Sequence, residues 1–298
     1  MSFKPVEGVT FFSGDESEKS VCIMGSIHGN ERIGAAVLDE LKPILAFSKI
    51  NRNIYLILGN PRAYSRDVRY VDMDMNRLFG VENMNLGDEK VMNEYASEKY
   101  SKMKYEESRA IEIARVLAEC SYLLDIHSTI KPSIPFVYSE ADDDHMALAS
   151  LMGTKFAVSP DAHFRPLDLV SSADNYVDRA GGTGITYESG WHKDELAVDE
   201  TLFRAKLFLQ KTGACNFGLH EPENTTEVQQ LLIYDHVVPQ TTSFIFARDF
   251  SNFDTVATGE IIGSDGGREI SAQRDCSIIF PKKVIQQGRA ACYLAYAH

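Results

Sequence analysis

Val21-Cys-Ile-Met-Gly-Ser-Ile-His-Gly-Asn-Glu31 is the stretch on which the fold turns. Four apolar residues, Val21 to Met24, read as a buried strand, and Gly25 to Asn30 as the tight loop that ends it. From Ile33 to Ala46 the apolar residues fall at 33, 37, 38, 41, 44 and 45, which is helical spacing. Pro43 is expected to kink or end that helix. Asn53 to Leu58 repeats the buried strand and is closed by Gly59-Asn-Pro61. Tyr122 to Ile126 gives a third strand and delivers His127 at its end.

The same reading extends outward. Pro135 to Tyr138, Lys155 to Val158 and Gly184 to Tyr187 are further strands. Helical segments fall at Glu106 to Glu119, His145 to Met152, Ala173 to Arg179 and Glu195 to Gln210, with a further piece from about Glu89. Residues 62 to 88 are polar and without period, and a connection that long is usually functional. Strands alternating with helices argue an α/β sheet covered on both faces. After Gly213 the helical period stops, and short apolar runs separated by glycine-rich turns follow. Two domains are therefore expected, residues 1–213 and an all-β one over 214–298.

The chain has 298 residues, 43 acids against 30 bases, and a formal charge of −13. Hydrophobic residues at 44 % exclude a disordered chain. The acidic balance argues against nucleic acid as a partner. No apolar run approaches the roughly 20 residues of a membrane span, and the first ten residues lack the apolar core of a secretory signal. Five cysteines without a C-x-x-C suggest neither a disulfide framework nor a thiolate zinc site. A cytoplasmic protein is expected, with homo-oligomerisation left open.

Four groups of residues could carry chemistry. His28-Gly-Asn-Glu31 follows a predicted parallel strand, at the sheet edge where α/β folds bind ligands. The His-x-x-Glu spacing recurs at His192 and His220, so spacing alone is weak, and His28 could equally be a loop histidine bonded to backbone. His127 ends another strand, with Asp125 on its own face. Two histidines and a carboxylate converging on one point make a three-ligand zinc site with an open position. Asp125 could orient the His127 imidazole, or merely close the strand end. Glu188 follows a third strand, where a glutamate can move a proton to and from a reacting group, or cap the next helix. Arg69-Tyr-Val-Asp-Met-Asp-Met-Asn-Arg77 suits an anion, since guanidinium binds carboxylates in pairs of bonds and stabilises oxyanions. A surface loop with ion pairs to Asp72 and Asp74 would have the same composition. No Gly-x-Ser-x-Gly elbow, Walker loop or dinucleotide glycine fingerprint is present.

Together, Gly25–Glu31, Leu58-Gly-Asn-Pro-Arg62, Arg69–Phe79, Asp125-Ile-His127 and Tyr187-Glu-Ser-Gly190 resemble the aspartoacylase and succinylglutamate desuccinylase group of zinc carboxypeptidase-like hydrolases. The resemblance implies an α/β/α sandwich with a mixed sheet, followed by a smaller all-β domain. It implies one zinc per chain held by His28, Glu31 and His127. Glu188 would be general base and acid, and Arg69 would stabilise the oxyanion. Asn76 and Arg77 would bind a substrate carboxylate, and Arg179 is the nearest candidate for the arginine that aspartoacylases place on the acyl part. The implied reaction is hydrolysis of a small anionic N-acyl amino acid of the N-acetyl-aspartate or N-succinyl-glutamate type. Ser128-Thr-Ile-Lys-Pro-Ser133 is closer to the desuccinylase pattern. Val284 to Arg289 departs from the aspartoacylase region that carries a substrate-contacting tyrosine. A zinc carboxypeptidase or amidase acting on peptides is the alternative, and a non-catalytic metal-binding regulatory protein is a second.

Overall fold

The structure is a computed structural model and describes residues 6–14, 18–80, 103–194, 196–220 and 228–298. Its centre is an eleven-stranded mixed sheet. The strands are β1 (Val9–Phe12), β2 (Ser20–Gly25), β3 (Ile54–Leu58), β4 (Cys120–Thr129), β5 (Phe136–Tyr138), β6 (Phe156–Pro160), β7 (Thr183–Trp191) and β8 (Gln229–Val237), with β10 (Thr255–Val256), β13 (Cys276–Ile279) and β14 (Cys292–Ala297) beyond them. The spatial order is β1-β3-β2-β4-β7-β5-β6-β8-β14-β13-β10. The middle strands β3, β2, β4 and β7 run parallel. A three-stranded sheet of β9 (Ile245–Phe246), β11 (Ile261–Asp265) and β12 (Arg268–Ser271) lies apart from it in hydrogen bonding.

Side-chain alternation along the strands feeds two cores. Val21 and Ile23 face one way and pack with Val37, Leu38, Leu41 and Leu45 of α1 (Arg32–Ala46) and with Phe208 of α7 (Ala197–Lys211). Cys22 and Met24 face the other way, onto Ile111 and Ala114 of α3 (Tyr105–Leu117) and Val177 of α6 (Ala173–Arg179). That is the α/β/α sandwich expected from alternating elements. The remaining helices are α2 (Pro61–Arg66), α4 (Asp143–Leu151) and α5 (Leu167–Val170). Among the described residues, no helix is long and apolar enough to cross a membrane.

Three expectations change. α1 runs through Pro43 to Ala46, because Leu41 and Leu45 on either side are buried against the sheet and hold the last turn down. The segment after Pro61 is not all irregular. Pro61–Arg66 is helical, with Pro at its first position and the Asn60 side chain accepting from Ala63 N at 3.0 Å. The helical piece placed from about Glu89 falls outside the described residues, and the one placed over Glu106 to Glu119 is α3. The carboxyl-terminal region is all β, and it does not stand apart from the sheet. β8 pairs in parallel with β6, and β14 pairs with β8, so the same sheet continues into it.

Candidate active site

β2, β4 and β7 lie side by side, and their register decides what meets at their carboxyl ends. Gly25 pairs with Ile126, and His127 pairs with Glu188. The loop after Gly25 therefore opens beside His127. Its turn places Ser26 at φ 54, with the Ser26 hydroxyl bonded to Glu31 O at 2.7 Å. Gly29 is required by close approach: a Cβ there would stand 2.1 Å from the Ala63 carbonyl carbon. Its N–H donates to Arg69 O at 3.1 Å, which ties this loop to the arginine segment.

His28, Glu31 and His127 are all buried, and one ligand atom from each lies within 4.8 Å of the others. Nδ1 of His28 is 2.8 Å from Glu31 Oε1, and Nδ1 of His127 is 3.0 Å from Glu31 Oε2. Each imidazole is held from behind by a carboxylate. His28 Nε2 meets Asp74 Oδ1 at 3.0 Å, and His127 Nε2 meets Asp125 Oδ2 at 2.9 Å. With a metal bound, each carboxylate would hold the ring proton on Nε2 and leave both Nδ1 atoms to bind beside Glu31, the pattern of a histidine–carboxylate metal site. Burial alone would raise the Glu31 carboxyl, but the two imidazoles hold it well below the usual range. Burial would lower His127, but Asp125 and Glu31 push it well above. Two imidazoles and one carboxylate are a donor set that fits zinc.

Glu188 stands beside this trio. Burial pushes its carboxyl up to about 7, against the pull of His127, and its Oε2 has no hydrogen-bond partner among the described residues. Arg69 forms ion pairs with Asp74 at 3.1 Å and Glu31 at 3.4 Å. Asn76 accepts from Ala173 N through Oδ1 at 3.1 Å. Arg77 donates Nη1 to Asn76 O at 2.9 Å. His28, Glu31, His127, Glu188, Arg69, Asn76 and Arg77 line one cleft, with Ser128, Asp168, Phe280, Lys282 and Tyr293. Lys282 is exposed and lines the cleft with Arg69, Arg77 and Glu188. Desolvation, with the nearby Arg69 and Arg77 charges, pulls its ammonium down to about 8.

The structure thus gathers His28, Glu31, His127, Glu188, Arg69, Asn76 and Arg77 around one cleft. It does not bring Arg179 there. Arg179 ends α6, and its guanidinium is spent on backbone, donating to Val170 O at 3.0 Å and to Phe79 O. The second His-x-x-Glu histidine, His192, bonds Ser128 Oγ at 2.8 Å; Glu195 and Glu223 lie outside the described residues. Lys131 is bonded to Asp249 and Phe250 O, not free in the cleft. Two contributors escape a reading of motifs. Asp74 reads as an ion-pair partner in the arginine run, yet it also orients His28. Lys282 stands beside Lys283 in the β-rich region, and no spacing links it to residues two hundred positions earlier. A tyrosine does reach the cleft, but from β14: Tyr293, whose hydroxyl bonds Asp168.

Comparison with known proteins identifies the family of the chain. Residues 17–205 match the succinylglutamate desuccinylase/aspartoacylase catalytic domain. A succinylglutamate desuccinylase of Pseudoalteromonas atlantica is 25 % identical over 95 % of this chain and 83 % of its own length. An N-acyl-aromatic-L-amino acid amidohydrolase (carboxylate-forming) of Xenopus laevis is 26 % identical over 71 % of this chain and 70 % of its own. The crystal structure of a Vibrio cholerae succinylglutamate desuccinylase superposes with a TM-score of 0.75 at 20 % identity, covering 97 % of this chain and 85 % of that one, a likeness of fold. The chain belongs to the succinylglutamate desuccinylase/aspartoacylase family.

Proposed function

We propose that this protein is a zinc-dependent amidohydrolase that cleaves a small anionic N-acyl amino acid into a carboxylic acid and a free amino acid. The observation that carries the reading is the convergence of His28, Glu31 and His127 with Glu188 on the neighbouring strand. Zinc, when bound by those three side chains, would supply a Lewis acid for water and the scissile carbonyl. Glu188 would take a proton from the attacking water through its carboxylate and return it to the leaving amine. Arg69 would stabilise the charge that develops on the carbonyl oxygen. Arg77 and the amide nitrogen of Asn76 would bind a substrate carboxylate, with Lys282 adding a third positive charge to the same cleft.

Residues 1–213 would form the catalytic domain, and residues 214–298 the β-rich part that supplies Lys282 and Tyr293 to the cleft wall. Five free, buried cysteines suit a reducing cytosol. The test is hydrolysis of N-acetyl-aspartate, N-succinyl-glutamate, an N-acetyl aromatic amino acid and a short peptide by zinc-loaded protein, with a chelated control. Chelator-sensitive release of amino acid from an anionic acyl substrate is expected. Turnover of the peptide alone would replace this reading with that of a peptidase.

A further inference from the structure

The arginine segment has little regular structure of its own, so something else must fix where Arg69 and Arg77 point. Between Arg69 and the short 3-10 turn Met75–Arg77, the chain has neither strand nor helix. We propose that Glu106, a residue outside the cleft, is the positioning residue that holds this segment in its working shape. The inference rests on the amidohydrolase reading for its kinetic consequence alone.

Glu106 sits in the first turn of α3 and is fully buried. Its carboxylate faces backbone. Oε1 accepts from Val71 N at 2.6 Å and from Asn60 Nδ2 at 3.1 Å. Oε2 accepts from Asp72 N at 3.0 Å and Met73 N at 3.4 Å. Three consecutive amides thus close on one carboxylate. Such charge-assisted bonds are stronger than neutral ones, and the fully buried Glu106 carboxylate would be costly to leave unpaired.

The grip is reciprocal. Asp72 Oδ2 accepts from Tyr105 N at 3.0 Å, which fixes the start of α3 to the segment. One turn along the same helix, Arg109 donates to Gly59 O and Leu58 O, both at 2.9 Å, and so fixes α3 to the end of β3. The arginine segment is therefore referenced to the sheet through Glu106 and Arg109. Arg69 lies two residues before the gripped amides, and Asp74, which orients His28 and pairs with Arg69, directly follows them. Glu106 does not line the cleft, so its effect on substrate must pass through this backbone.

The test is Glu106→Gln, which keeps the shape but turns one acceptor oxygen into a donor facing backbone N–H groups. Three readouts are taken: zinc per chain, kcat and KM on the best substrate, and hydrogen exchange at Val71, Asp72 and Met73. The expected result is unchanged zinc, faster exchange confined to the segment, and kcat/KM lower by about 30- to 100-fold. Both kcat and KM should move, because Arg69 and Arg77 are displaced together. Asn60→Ser is the milder partner, since it removes one of the four donors. It should lower kcat/KM by about two- to fivefold, and it decides the matter if Glu106→Gln does not fold. A variant that melts earlier but keeps kcat/KM per bound zinc within about twofold would show a merely structural role and overturn the proposal. So would unchanged exchange at residues 71–73. If the wild type hydrolyses none of the acyl amino acids, the functional reading fails separately, and the exchange at residues 71–73 still decides whether Glu106 holds the segment.

Discussion

The two halves of the cleft are built differently. His127 and Glu188 lie inside β4 and β7 toward their carboxyl ends, paired to each other by the sheet, and His28 and Glu31 lie in the loop from β2 into α1. Arg69, Asn76 and Arg77 stand on a segment held by the Glu106 carboxylate reaching in and by the Asn76 side chain reaching out to Ala173 N. The first half inherits its precision from backbone pairing that many residues share. The second depends on a few ties, each removable by one substitution. Damage to the strand half should therefore be chemical and local. Damage to the arginine half should spread from residues that never touch substrate.

Glu188→Gln is the sharpest cut on the strand side. It should retain zinc and lower kcat by about a thousandfold, read by steady-state hydrolysis with metal analysis. Near-normal turnover would remove Glu188 from the proton path. On the other side, Arg69→Ala should lower kcat/KM by about 10² to 10³. It should also loosen His28, because Asp74 loses its ion-pair partner. A loss confined to KM would mean that Arg69 binds the ground state only.

Lys282 offers a pH test of the cleft's charge. Its ammonium, lowered to about 8 by desolvation beside Arg69 and Arg77 and opposed by Glu188 and Asp74, is charged below that pH and neutral above it. For a carboxylate substrate, kcat/KM should fall above pH 8 through a rising KM. Lys282→Gln should abolish that alkaline limb at a cost of about tenfold in affinity. A limb that persists in the variant would assign it to another group.

The smallest effect concerns the scaffold behind β7. His145 meets Asp142 at 2.8 Å and Asp178 at 3.0 Å, and Asp178 accepts from Gly184 N near the start of β7 at 2.7 Å. Burial would lower this imidazole, but Asp178 and Asp142 raise it to about 9 from an ordinary 6.5. The folded protein holds that proton more tightly than the unfolded chain does. Its stabilisation is complete below about 6.5 and is lost as pH rises through 9. Urea melts should show stability declining over that window, and His145→Gln should flatten the decline. An unchanged slope would place the proton elsewhere.

The same contrast explains what could be read from the sequence. Val21–Met24 is a continuous apolar run, and Tyr122–Ile126 is one broken only by Asp125, because both faces of the sheet are covered. Their ends therefore announce His28 and His127. The helix Pro61–Arg66 is too short for a period, although Asn60-Pro61 marks its start. Side-chain-to-backbone ties carry no periodic signal at all, so the role of Glu106 is silent in the sequence, and Lys282 lies too far along the chain for any spacing to link it to the cleft. Arg179 shows the converse: a resemblance suggested a role, but the last turn of α6 aims the guanidinium at Val170 and Phe79 carbonyls instead.

The most direct measurement is a zinc titration of the chelated protein, following bound metal and amino-acid release from the best acyl substrate together. The account predicts that both saturate at one zinc per chain, and that His127→Ala abolishes both. Full hydrolysis in excess chelator, or zinc binding untouched by His127→Ala, would contradict it.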